Sequence, residues 1–580
     1  MQLDTDHRRY RTASEAADAL QGLALSPLTR SEGTLKLAAQ RLACAPAAAL
    51  PPDFSVALPP PPLRAGEHKA RAADTLQSGQ FQAVGTSALV AAVLANPKQL
   101  PLGKLIEKIC EHQGRTGLSL SPPEVMWQQL ESLRSQGYGA ADLAEGWLEL
   151  AQFYGQQVQQ GHRSLINIVI AIAAYEQALS HTEAAPIAYD HLGRLYWILS
   201  RQEPKSRLRC LETAIRVYQR GASLAANRPA NLGHKREITP ATHPEIQQAI
   251  EPKIQPRIEP GINLALLHNH LGEALNDLAA LTGQPDEWQQ AIQAYETALT
   301  SLSLKTTMKS NAAGSNAAGC SNSSTEGIAL EARLLGAEIQ NNLGTACWNL
   351  AQHQPKDTAI ELLQQAIAAY NQAAQLYDPD EDAIRYGMIQ NNLGTTYLNL
   401  GQLEQSLDLL RLATGTYQVA LIYRSRNEAP MSHAATQNNL GAACIQLAGH
   451  PYLDPIAARE ALEQAIVAYK EALMLIKELS EVGVHNAGFD PAVSRLNLGL
   501  AHQRIGTLTE DIQATGIQLV YLETAIRCYV ELFNQEPKGS EIYSLGLEYL
   551  NQIFEYLSNE VGLPLEHPLF KLLPNHLFRE

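Results

Sequence analysis

Trp147, Leu150, Ala151 and Tyr154 fall three or four residues apart or side by side, and twenty residues past Ala151 the run AIAAYEQAL puts Ala171, Tyr175 and Ala178 on one helical face. This spacing follows the 3.6-residue period and predicts two helices joined by a turn. A small residue between Leu and Tyr lets the two helices approach closely, and its larger neighbours fill the groove between them. The couple recurs. Its small anchor is next Gly193, then Gly272, Gly344, Gly394, Gly441 and Gly499, each followed after 19 to 26 residues by an Ala-rich second helix. Those second helices begin at Ala214, Ala291, Ala366, Ala465 and Ala525, with a divergent copy at Ala413 to Leu421 that keeps Tyr417. Seven repeats result, and Leu545, Gly546 and Tyr549 open a partial eighth that would cap the apolar end. Tyr175, Tyr218, Tyr295, Tyr370, Tyr469 and Tyr529 recur at the packing position and are expected in the core.

The gaps between successive anchors are 42, 79, 72, 50, 47, 58 and 47 residues, so every repeat carries extra residues in loops or lengthened helices. Two insertions stand out. Residues 222–261, rich in Pro and His, read as a long extended loop, and residues 303–327, a Ser, Asn, Gly and Ala tract, read as disordered. Ahead of the array, residues 1–44 are weakly helical. Residues 45–66 form a Pro-rich linker whose prolines fix φ and remove amide donors, and 67–140 form a helical cap broken near Pro97–Pro101 and Pro122–Pro123. The array itself spans 141–535, and 536–580 form C-terminal capping helices.

The W-x-x-L-[GA]-x-x-Y pattern and its partner helix resemble the tetratricopeptide repeat over about 400 of the 580 residues. The longer spacing resembles the long-helix variants of kinesin light chains and of bacterial scaffolds that carry N-N-L-G. The resemblance implies an all-α, right-handed α-solenoid of stacked helix-turn-helix repeats, whose first helices line a concave groove for extended peptides. It implies a non-enzymatic scaffold or adaptor.

Within that frame the polar residues of the first helices are the candidates for ligand contact. The segment Gln-Asn-Asn-Leu-Gly occurs at 340–344, 390–394 and 437–441. Asn costs up to about 0.7 kcal/mol against Ala in a helix interior, so its repetition asks for a reason. Asn341, Asn391 and Asn438 stand three residues before their anchor glycines, as do Asn269 and Asp190 in less regular copies. With Asn349, Asn399 and Gln446 further along the same helices they form a candidate amide ladder, offering donors and acceptors to the backbone of an extended peptide. Trp197 and Trp348, four residues past their anchors, are candidate binding aromatics, with burial between helices as the other reading. The second asparagines, Asn342, Asn392 and Asn439, suit a bond to the neighbouring repeat that fixes stacking.

Composition narrows the class. A formal charge of -15 weighs against a nucleic-acid partner and favours a neutral or basic protein or peptide. Seven cysteines lie far apart with no pair at metal-ligand spacing, which suits a reducing compartment. The longest apolar runs fall well short of the roughly 20 residues a membrane span requires, so a cytoplasmic protein without cofactor or metal is expected. No phosphate-loop, dinucleotide, zinc-protease or serine-hydrolase signature occurs, and His268-Asn269-His270 lies inside a helical repeat with no strand or metal spacing beside it. The rival readings are a peptide-responsive regulatory sensor and an assembly factor that self-associates as a homo-oligomer.

Overall fold

In the computed structural model, the described residues are 86–100, 122–139, 142–159, 165–180, 186–226, 260–312, 323–483, 488–508, 515–564 and 566–572. Among them there is no strand. The helices, in chain order, are α1 (Thr86–Ala95), α2 (Pro122–Ser135), α3 (Ala144–Gln159), α4 (Leu165–Leu179), α5 (Pro186–Gln202), α6 (Arg207–Ala226), α7 (Pro260–Thr282), α8 (Pro285–Ala312) and α9 (Ser323–Ala351). They continue with α10 (Lys356–Leu376), α11 (Ala383–Glu404), α12 (Leu407–Tyr423), α13 (Pro430–Ala448), α14 (Pro455–Glu481), α15 (Pro491–Thr507), α16 (Thr515–Gln535) and α17 (Glu541–Glu555). Each anchor residue lies on an odd-numbered helix from α3 onward, and each Ala-rich partner on the next even-numbered one. The architecture is an all-α helical repeat. The described residues divide into two compact units, one up to residue 346 and one from residue 347 onward.

In the first unit, α3 packs with α4, α5 with α6 and α7 with α8, while α1 lies on α4 and α2 on α3. In the second, α11 packs with α12, α13 with α14 and α15 with α16, and α10 packs on α11. The anchor glycine is the seat of its partner's tyrosine ring. A β-carbon on Gly193 would stand 2.4 Å from Tyr218 Cε1, and one on Gly499 would stand 2.5 Å from Tyr529 Cε1. The same lock joins Gly272 to Tyr295, Gly394 to Tyr417 and Gly441 to Tyr469. All five rings are buried, so the hairpin angle is set by a flat ring lying on bare backbone.

Helix ends follow local chemistry. Ser406, Asp454, Asp490 and Ser540 cap α12, α14, α15 and α17 by accepting from backbone N–H groups of the first turn. Pro430, Pro455 and Pro491 begin their helices, where the missing N–H costs nothing. At the C-terminal end, α17 buries Tyr543, Leu550 and Ile553, and Leu569 and Phe570 are buried in the same core, Phe570 edge-on to Phe554 at 5.4 Å.

Two sequence expectations change. Residues 303–312 continue α8 and residues 323–327 begin α9, so both ends of the tract expected to be disordered are helical. A helix nucleated by the buried face of Ala291, Tyr295 and Ala298 propagates past its last packing residue, because each added residue needs only one further hydrogen bond. Likewise residues 222–226 extend α6, since Gly221 packs on Tyr189 and Leu267. The remainder of the two insertions, 227–259 and 313–322, and the N-terminal segments 1–44, 45–66 and 67–85 lie outside the described residues. The extra repeat length resides partly in the helices: α8 has 28 residues, α9 has 29 and α14 has 27.

Candidate functional site

The first-helix polar positions meet from one repeat to the next. In the first unit Asn342 Nδ2 donates to Asn269 Oδ1 at 3.1 Å and to Glu273 Oε1 at 3.1 Å, linking α9 to α7. Asn269 Nδ2 in turn stands 3.4 Å from both Glu273 Oε1 and Glu338 Oε1. The second unit repeats the device: Asn439 Nδ2 on α13 donates to Asn391 Oδ1 on α11 at 3.3 Å, and Ser494 Oγ on α15 donates to Asn438 Oδ1 at 2.7 Å. Thus Asn269, Asn391 and Asn438 each accept from the next first helix, and Asn342 and Asn439 each donate to the previous one.

That arrangement corrects the open ladder expected from sequence. Asn269 is 0%, Asn341 5% and Asn391 6% exposed, so these amides lie buried among helices, bonded to Asn342, Asn439, Glu273 and Glu338. The physical reason is the short reach of asparagine: an amide near the helix axis meets the adjacent first helix before it meets solvent. Asn438, Asn349, Asn399 and Gln446 are half-buried. Trp348 is buried, on the core side of the alternative drawn for it. Trp197 is half-buried and tied down: its Nε1 donates to Asp277 Oδ2 at 2.9 Å, Arg201 donates to the same oxygen at 2.8 Å, and the guanidinium lies 4.0 Å over the indole.

The position held by asparagine elsewhere is Asp190 on α5, and it makes a buried ion pair with His270 Nδ1 on α7 at 2.6 Å. Burial opposes the charge on His270, but the Asp190 carboxylate more than offsets it and raises the imidazole pKa to about 9. Burial also acts on Asp190 itself, yet His270 holds its carboxyl below the usual range. Glu273, one turn further, has its pKa pushed up to about 7, chiefly by burial, with Glu338 adding to the rise and His270 opposing it.

Beside this network the first-helix side opens into a small cleft of about 70 Å³ between α3 and α5. Gln152, Gln156 and Gln159 from α3 and His191 and Arg194 from α5 supply its polar lining, with Leu195, Ile198 and Val158 as the apolar part. Its origin lies in the first repeat's departure from the glycine lock. There the anchor is Ala151, and Gly155, one turn on, leaves the space in which the Tyr175 hydroxyl meets His191 Nδ1 at 3.0 Å. Burial lowers the pKa of His191 below its ordinary value, Asp190 opposing the fall and Arg194 adding to it. Arg194 is exposed, so the cleft presents one cation among uncharged amides. These residues were not among the sequence candidates. Gln152, Gln156 and Gln159 recur at helical spacing on the polar face of α3, but glutamine on such a face is ordinarily only solvated.

No protein-family model matches the chain, and no curated protein matches it. Among solved structures it is similar to a circular tandem repeat protein with novel repeat topology and enhanced subunit contact surfaces, at 13% identity over 84% of this chain and 95% of that one, with a TM-score of 0.24. The class is defined by the chain's own helices: an all-α repeat protein built from glycine-and-tyrosine-locked hairpins. No helix among the described residues is long and apolar enough to cross a membrane.

Proposed function

We propose that this is a non-enzymatic repeat scaffold of the tetratricopeptide kind, which binds an extended, uncharged or weakly charged protein segment on its first-helix side. The cleft between α3 and α5 carries the reading. A concave space with an apolar floor and a few convergent polar groups is the usual form of a recognition site. Three glutamine side chains each offer a donor and an acceptor, which suits the peptide backbone rather than one particular side chain. Arg194 adds a donor for a carbonyl or a carboxylate, while Asp190 and Glu273 moderate its charge through space. In the second unit the half-buried Asn349, Asn399, Asn438 and Gln446 are separate candidates of the same amide chemistry. Asn269, Asn341 and Asn391 would act by fixing how neighbouring first helices stack.

The test uses peptides selected from a random display library against the intact chain. A photo-crosslinking amino acid replaces Gln156 in the cleft or, as a control, Glu296 on the exposed face of α8. Crosslinking of the selected peptide at 156 and none at 296 is the expected result. Crosslinking at 296 alone, or at neither position with binding intact, places the segment elsewhere.

A further inference from the structure

One arginine is buried without a counter-charge. Arg424, which ends α12, is 5% exposed, and among the described residues its side chain makes one hydrogen bond, Nη1 donating to Thr436 Oγ1 at 2.8 Å. Its Nε is buried with no partner. Burial alone acts on its pKa, lowering it to about 10, because no carboxylate stands near enough to offset the loss of solvent. Burying an unpaired charge is among the costlier things a fold can do. The carbonyl end of α12 supplies a partial negative charge, which is weaker than a full counter-ion.

The repeats show how room is made for this arginine. Seven residues past the locking tyrosine stand Ala225, Leu302, Tyr377, Ile476 and Glu536 in other repeats, and here Arg424. Seven residues before the anchor glycine stand Pro186, Ala265, Ala337, Ala434 and Ala492 in other repeats, and here Gly387. A β-carbon on Gly387 would lie 2.8 Å from Arg424 Cγ, so the glycine makes room for the stem. Five residues before the anchor, Leu267, Ile339 and Ile389 give way to Thr436 in α13 and to Ser494 in α15, and Thr436, which is 0% exposed, receives the guanidinium. Gly387 of α11 and Thr436 of α13 thus both adjoin the side chain of Arg424 at the end of α12. Thr436 occupies the Nη1 end, which leaves the Nε and Nη2 edge, the edge that grips an oxyanion with two parallel bonds.

We propose that Arg424, seated by Gly387 and Thr436, is an oxyanion-binding site that takes the carboxylate or phosphate of a ligand on its Nε edge. The site lies in the second unit and is independent of the α3 and α5 cleft. Its test is thermal melting and calorimetric titration of the full chain with sodium phosphate, sodium succinate and sodium chloride at matched ionic strength. The wild type should show saturable stabilisation by phosphate, by succinate or by both, beyond that of chloride, and Arg424→Met should weaken that response by about tenfold or more, as expected for loss of a charge-assisted bond. A response to phosphate alone assigns a phosphate-bearing ligand, and a response to succinate alone a carboxylate. Should Arg424→Met fail to fold, Thr436→Val keeps the charge and removes its anchor, and the apparent affinity should fall severalfold. Equal effects of all three salts on the wild type, or a response undiminished in the variants, would overturn the proposal.

Discussion

Alanine in place of Gly193 puts a β-carbon 2.4 Å from Tyr218 Cε1, closer than any real contact, and the buried ring has nowhere to retreat. Overpacking of this kind costs about 1–3 kcal/mol. Gly193→Ala should therefore lower stability by that amount in urea unfolding, and Gly193→Ala combined with Tyr218→Leu should lose less than the sum of the two single changes. Strict additivity would mean that the glycine and the ring are not coupled. The His270 and Asp190 pair makes a second residue-scale prediction. A histidine whose folded pKa is raised contributes stability that is fully present below its unfolded pKa and is lost as pH rises through the folded value. Asp190, whose pKa is lowered, contributes above its ordinary carboxylate range and loses that contribution as pH falls through its lowered pKa. The pair is thus strongest in mildly acidic solution, and its histidine contribution declines from about pH 6.5 through about 9. The His270 ring signals in nuclear magnetic resonance should titrate near 9, and a midpoint in the ordinary range of 6 to 7 would contradict the buried pair.

Between helices the repeating unit of cohesion is the amide bridge from one first helix to the next. Asn342→Ala removes the donor shared by Asn269 Oδ1 and Glu273 Oε1, and should cost about 1–3 kcal/mol because two buried acceptors lose it. Asn269→Ala measured alongside should give a double-mutant coupling well above zero. Independence of the two would assign Asn342 no part in stacking. This is also where legibility from sequence ends. The hairpins could be read because Gly and Tyr recur at fixed offsets, and the period of apolar residues specifies a helix wherever one face is buried. The asparagine pairs were visible as a repeated cost, but one sequence does not give the distance between neighbouring first helices, and that distance decides whether an amide reaches solvent or the adjacent amide. Trp197 illustrates the same limit, since its partner Asp277 is 80 residues away. The cleft depended on an exception, Ala151 in place of glycine with Gly155 one turn later, and a pattern built from recurrence does not reveal what an exception makes room for.

For the molecule as a whole, a net charge of -15 sets long-range steering, while the groups facing the cleft set recognition at contact. The proposed ligand is accordingly a segment with little net negative charge that would meet the cleft's amides and one guanidinium through its backbone. Gln152 and Gln156 are presented from α3 and Arg194 from α5, the latter locked to α6 by Gly193 and Tyr218. The most direct measurement is the equilibrium affinity of a display-selected peptide for the wild type and for the double substitution Gln156→Ala and Arg194→Ala, with melting temperature recorded for both. The affinity should weaken by about tenfold or more at an unchanged melting temperature, the loss of two or more hydrogen bonds, one of them charge-assisted. An affinity equal to that of the wild type in a folded variant would contradict it.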